Sequence, residues 1–213
     1  QWEIRMKILE AINREDIEEA IKGIEEYEEI PSRNPVQNQF VDTMRYMVGK
    51  LKGWSDETLA MMLNLAILHT VPSIYAALEG EQLLADQELN LIAEYTCICE
   101  YTGEEDALKW RLEEFKKILR YVDTSRMDKV AKAKIVPKVT CMILNSYSED
   151  EDYVYASNLC NTSVELLRDT SRLYYFVELM EYRKRLVKLV MDLPDLTIQE
   201  IIELQRTYDK DTE

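Results

Sequence analysis

The chain has 213 residues, 26 Lys and Arg against 41 Asp and Glu, and a formal net charge of −15. A length of this order buries a real core, and at 46% apolar residues the chain is no acidic disordered tail. Gly and Pro contribute five residues each, too few for an all-β protein built on tight turns, and the negative charge sets this segment against phosphate backbones, so it is expected to bind no nucleic acid.

In chain order, Ile4, Ile8 and Ile12 keep one helical face. Asn13 is placed to cap a second helix that opens on Arg14-Glu15-Asp16 and runs to about residue 30. Pro31 and Pro35 bracket a break. Phe40, Met44, Met47 and Leu51 then recur at three and four residues, and Gly53 ends that helix. Ser55 and Thr58 open the next, which carries Leu59, Met62, Leu63 and Ala66 as far as Thr70 before Pro72 stops it. A third pair is expected from Asp86 to Thr102 and, after a turn at Gly103, through Tyr121. Asp123-Thr124-Ser125 introduces helices over 126–147 and 150–168. The last pair covers 172–192 and, beyond Pro194, 196–208. The chain reads as all-α.

Helix pairs beginning near 86, 128 and 172 are spaced by about 42 to 44 residues, a period of stacked helical hairpins. The expected architecture is a right-handed α-solenoid of about five hairpins (1–30, 35–70, 86–121, 126–168 and 172–208), one repeat domain over 1–213. An ordinary helical bundle is the alternative. In a solenoid the first helix of each pair lines the concave surface, and the second forms the outer layer.

Cys97, Cys99, Cys141 and Cys160 lie in apolar periodic segments and read as reduced, buried, small side chains of a cytoplasmic protein. Cys97 and Cys99 on one helix would point about 200° apart, a poor metal-ligand spacing. No apolar run reaches membrane-spanning length, since Met61 to Leu78 is interrupted by Asn64, His69, Thr70, Pro72 and Ser73. The opening Gln1-Trp2-Glu3-Ile4-Arg5 has neither a signal-peptide pattern nor a starting Met, so the natural N-terminus is expected upstream.

Catalytic patterns are missing. The single histidine, His69, ends an apolar helix before Val71-Pro72 and reads as a capping or packing residue. No phosphate-binding Gly-rich loop occurs, and one histidine builds neither a Ser-His-Asp nor a Cys-His constellation. The Glu-x-x-His pairs of carboxylate metal bundles are lacking too, so no enzyme activity, cofactor or metal is expected and the acidic residues read as solvated helix faces.

Polar stripes on the first helices carry a stronger signal. Asn90, Glu94, Cys97 and Tyr101 follow one helical line, as do Lys134, Lys138, Cys141 and Asn145. Tyr174, Glu178, Glu181 and Arg185 make a third, and Asn38, Asp42 and Arg45 a fourth. Aligned as repeats, Asn38, Arg45, Asn90, Glu94, Tyr101, Lys134, Lys138, Asn145, Glu178 and Arg185 would face a shared groove. Amides bond both peptide N–H and C=O groups, while Lys and Arg meet a carboxylate, so the expected occupant is a short peptide or another protein. The alternative is that these stripes are simply wet helix faces. The Leu173-Tyr-Tyr-Phe-Val177 run, apolar nearly all round, is a candidate surface for a homodimer.

Gly103-Glu-Glu-Asp-Ala-Leu108 after a Cys-bearing helix resembles the turn and second helix of a tetratricopeptide repeat. Tyr153 to Leu167 followed by Arg172-Leu-Tyr-Tyr-Phe-Val-Glu-Leu-Met180, with Pro137 in Lys134-Ile-Val-Pro-Lys-Val139, is similar to the C-terminal repeats of the Rgg/PlcR/MutR-like transcriptional regulators and their clostridial relatives. The likeness covers roughly 86–192. It implies a superhelical sensor and dimerisation domain that follows an N-terminal helix-turn-helix head and takes a signalling peptide. No basic recognition helix is present here, and the acidic stretch over 15–29 would not enter a major groove, so that head would lie upstream. The second expectation is a free-standing tetratricopeptide-like scaffold that binds another protein.

Overall fold

The computed structural model describes residues 1–99, 104–146 and 153–191, with the side chains of 104–106, 153 and 187–191 excepted. The described residues are helical, with no strand among them. In order come α1 (Trp2–Asn13), α2 (Ile17–Glu28), α3 (Pro35–Leu51), α4 (Asp56–Leu68), the short α5 (Ile74–Ala76) running into a π-turn (Ala77–Glu81), α6 (Asp86–Ile98), α7 (Glu104–Thr124), α8 (Lys129–Asn145), α9 (Tyr153–Asp169) and α10 (Phe176–Met191). The Gly103 turn, Tyr101 and the expected 196–208 helix lie outside the described residues. By its internal contacts the chain divides into two compact units, Gln1–Tyr121 and Val122–Glu213.

Local chemistry starts most of these helices. Asn34 and Gln37 form a reciprocal capping box at α3, 2.9 and 2.8 Å, with Pro35 at the first helical position. The Ser55 hydroxyl accepts the Thr58 N–H to open α4, and the Asp128 carboxylate accepts that of Ala131, at 2.8 Å, to open α8. One expected cap is corrected. Asn13 is the last residue of α1, and Asp16 caps α2 by accepting the Glu19 N–H at 3.2 Å. The carboxylate three residues before a free amide has the reach that Asn13 lacks.

Three helices end alike. After α3, Gly53 (φ 69°) donates to the Lys50 carbonyl, and Trp54 donates to that of Gly49. This paired closure satisfies two carbonyls that the helix leaves open. Glu15 (φ 57°) with Asp16 does the same after α1, and Ser171 (φ 54°) with Arg172 after α9. The Ser171 turn, followed by Tyr175 at φ 62°, delays α10 to Phe176. Residues 172–175, expected as helix, are therefore a turn.

In the first unit, α1 packs on α2, α2 on α3, α3 on α4 and α4 on α6; α1 also touches α3. Ile8, Ala11, Ile24, Tyr27, Phe40 and Met44 form the shared core of the first three helices. Gly23 allows the close approach of α2 to α1, since a Cβ there would stand 2.7 Å from Ile8 Cγ1. The Arg5 guanidinium lies 4.2 Å from the Phe40 ring centroid. Further along, the Tyr121 hydroxyl accepts the Leu84 N–H at 2.7 Å and donates to the Gln82 carbonyl at 3.2 Å, tying the segment after the π-turn to α7.

The second unit packs α8 on α9, α9 on α10 and α8 on α10 around Cys141, Leu144, Ala156, Cys160, Leu167 and Leu179. A neutral bond crosses its interior, where the buried Ser163 hydroxyl donates to that of Thr140 at 2.9 Å. Pro137 sits buried inside α8 and forgoes one backbone donor.

Candidate functional site

The polar surface of α3 is the most developed candidate in the first unit. Its periodicity puts Phe40, Met44 and Val48 inward, which leaves Asn38, Asp42 and Arg45 on another face. Arg45 Nη2 stands 2.7 Å from Glu28 Oε1 on α2, and its Nη1 stands 3.7 Å from Asp42 Oδ1. Asp42 Oδ2 in turn meets His69 Nε2 at 2.8 Å, at the C-terminal end of α4. A continuous polar chain Glu28–Arg45–Asp42–His69 thus ties three successive helices together. His69 ends its helix as expected, and its partner is a carboxylate.

Beside this chain opens a groove of about 380 Å³. Ile21 and Ile24 of α2, Val48 of α3, Trp54 between α3 and α4, and Met62 of α4 give it apolar walls, and Glu25, Glu28, Arg45 and Lys52 add charge. Trp54 owes its place to the closure after α3. The backbone bond to Gly49 folds the chain back, and the indole covers Gly49 so closely that a Cβ there would collide with the ring.

The expected ligand residues have these places. Asn38 is half-buried and accepts the Arg33 Nε–H at 3.0 Å, while the other end of that guanidinium bonds the Glu28 carbonyl. Arg45 alone among them lines the groove. Asn90 Nδ2 donates to the Asp86 carbonyl at 3.0 Å, within its own helix. Glu94 accepts the Tyr46 hydroxyl at 3.1 Å, which joins α6 to α3, and Lys50 Nζ lies 3.9 Å from it. Burial, and then the Glu94 charge, hold the Tyr46 phenol protonated far above its usual range. Tyr101 lies outside the described residues. In the second unit Lys134, Asn145, Glu178 and Arg185 are exposed and Lys138 is half-buried. The Arg185 guanidinium lies 4.3 Å from the Tyr182 ring centroid.

Several expected stripe members are corrected. Cys141 is buried, because α8 packs on both α9 and α10 at that point, and burial with the nearby Glu178 charge pushes its thiol up to about 12. Burial pushes Cys160 up to about 11. Cys97 and Cys99 are only half-buried, and α6 stops at Ile98, so Cys99 sits in extended backbone rather than on the helix. Its sulfur bonds the Tyr95 hydroxyl, which with burial pushes that phenol up to about 12. Tyr174 precedes α10 in the turn, so it is not on the line of Glu178 and Arg185. No grouping of three or more His, Cys, Asp or Glu suited to a metal occurs among the described residues.

Trp54, Met62, Ile21 and Glu28 were not anticipated at a site. Gly49-x-x-x-Gly53-Trp54 carried a usable signal: a small residue under an aromatic that follows a left-handed closure. Among the described residues no helix is long and apolar enough to cross a membrane. Compared with family models, curated proteins and solved structures, the chain gives no match.

Proposed function

We propose that the chain is the ligand-sensing and dimerisation domain of a helix-turn-helix transcriptional regulator, a tetratricopeptide-like array of helical hairpins that takes a peptide and performs no catalysis. The observation that carries this reading is the packing order. Each of α1 to α3 lies on its successor, and α1 on α3, α4 on α6 and α8 on α10 add contacts one helix further along. Stacked hairpins generate such near-neighbour contacts, because each amphipathic pair buries its apolar face only against the next. The ordered polar chain on α3 supports the ligand role, as it offers peptide-bonding groups on a rigid helix rather than on a loop. A ligand regulates such a domain by binding one arrangement of two subunits better than another.

The test is a thermal-shift survey of this chain against an array of synthetic peptides, with light scattering on the same samples. A ligand present at a hundredfold excess over its Kd stabilises the folded chain by about 2.7 kcal/mol, a rise of several degrees in Tm. Stabilisation by a subset of peptides, lost in Lys138→Ala/Asn145→Ala and accompanied by a dimer, is the expected result. A dilution-stable monomer stabilised by none of the peptides contradicts the reading. The second reading, a free-standing scaffold, predicts the same binding but no basic helix-turn-helix segment in the coding sequence upstream of Gln1.

A further inference from the structure

We infer that the groove between α2, α3 and α4 is a binding site for a small apolar zwitterion of about dipeptide size. This goes beyond the peptide-sensing reading and does not rest on it, because Arg45 is the site's one residue among those expected to meet a ligand. Two helical lines shape the groove. Ile21, Ile24, Glu25 and Glu28 recur at three and four residues on α2, while Arg45 and Val48 line α3, with Lys52 just past its end. Trp54 and Met62 complete the lining. The left-handed turn at Gly53 and the close contact with Gly49 fix the Trp54 indole, so this wall is formed in advance. A volume of about 380 Å³ lies at the small end for ligand cavities and suits a molecule of dipeptide size.

Charge selects the class. The four ionic groups of the lining divide into one closed pair and two open groups. Arg45 Nη2 stands 2.7 Å from Glu28 Oε1 and 2.9 Å from Glu28 Oε2, so these two satisfy each other. Glu25 and Lys52 are exposed, and among the described residues neither side chain has an ion pair or a hydrogen bond, with the other or with any third group. Glu25 stands about one turn before Glu28, and Lys52 about two turns beyond Arg45, so the open carboxylate and the open ammonium are set apart in one apolar-walled space. A ligand of net charge gains nothing from a groove that carries two groups of each sign. A wholly apolar ligand would strip water from Glu25 and Lys52 without replacing it. A zwitterion meets both demands: its ammonium bonds Glu25, its carboxylate bonds Lys52, and its apolar body lies against Trp54 and Met62.

The test titrates the full chain calorimetrically with the dipeptide leucyl-phenylalanine, beside its N-acetylated form, its C-terminal amide and glycyl-glycine. The free dipeptide should bind with a Kd at or below about 1 mM, and glycyl-glycine at least about tenfold more weakly. Blocking either terminus should cost about tenfold. Glu25→Gln should weaken the free dipeptide about tenfold and leave the acetylated form unchanged, and Lys52→Met should do the same for the free dipeptide and the amide. Both variants change exposed side chains, so circular-dichroism melting should stay within a few degrees of the parent. No saturable binding of the free dipeptide, equal binding of the free and blocked forms, or unchanged affinity in both variants overturns the inference. Binding that is lost in Lys138→Ala but kept in Glu25→Gln belongs to the α8 stripe; that result overturns the groove assignment and leaves the sensing reading standing.

Discussion

The first four helices and the last three differ in where their polar contacts sit. Across α2, α3 and α4 runs a half-exposed ionic row, Glu28, Arg45, Asp42 and His69, beside a neutral bond that the buried Gln39 donates to Thr70 at 2.6 Å. Across α8 and α9 a buried hydroxyl pair, Thr140 with Ser163, lies in a core that also holds two thiols, and an exposed ion pair, Lys129 with Asp169 at 2.9 Å, joins the same two helices at the surface. A half-exposed ion pair contributes little to stability because water and salt screen it, whereas a buried hydroxyl has nowhere else to bond. The polar chain of the first region is therefore better placed to recognise something than to hold the fold, and the hydroxyl pair the reverse.

Both regions should share the same apolar foundation, and that is where the largest effects lie. Leu63→Ala and Leu167→Ala, at fully buried positions of the two units, should each cost about 3 kcal/mol in urea unfolding. A cost well under 1 kcal/mol at either would show that its unit lacks a packed core. Next, Ser163→Ala should cost about 1–2 kcal/mol, while Arg45→Ala, with a side chain 45% exposed, should cost no more than about 1 kcal/mol and less in high salt. The reverse ranking breaks the contrast.

The thiols sharpen it through pH. Burial keeps Cys141 and Cys160 protonated in the folded chain up to about 12 and 11, whereas an ordinary thiol ionises near 9.0. Above that value the unfolded chain releases protons that the folded one retains, so the stability associated with these groups is complete below about pH 9 and declines as pH rises further. At pH 8 a thiol reagent should label Cys97 and Cys99 in the native protein, and Cys141 and Cys160 only after denaturation. Native labelling of all four would contradict the buried assignment. The smallest effect belongs to the turns: Glu15→Gly, relieving a left-handed non-glycine residue, should stabilise by about 0.5 kcal/mol, read from the shift of the urea midpoint.

These turns also mark where the amino-acid sequence was legible and where it was not. Periodicity located α3 to the residue at both ends, because Pro35 and Gly53 are strong punctuation. It missed the identical closures at Glu15 and Ser171, since neither residue type announces a left-handed conformation, and so it started α10 four residues early. Arg45 was recognisable as a polar residue on a structured face. Its partner Glu28, and the His69 that bonds the neighbouring Asp42, were not, because their meeting depends on how α2 and α4 lie against α3, a tertiary fact that helical spacing does not encode. Cys141 is buried, as its apolar segment implied, and only its place on a polar stripe fails, because α9 and α10 cover that side of α8.

The central proposal is that a peptide ligand meets the first helices of the hairpins within a unit, α3 and α6 in the first or α8 and α10 in the second. Amide hydrogen exchange, measured on the full chain with and without a peptide captured from the synthetic array, tests it most directly. The account predicts slowed exchange along α3 and α6, or along α8 and α10, on binding. Protection confined to the second helices α4, α7 and α9, or an exchange pattern unchanged by a bound peptide, would contradict it.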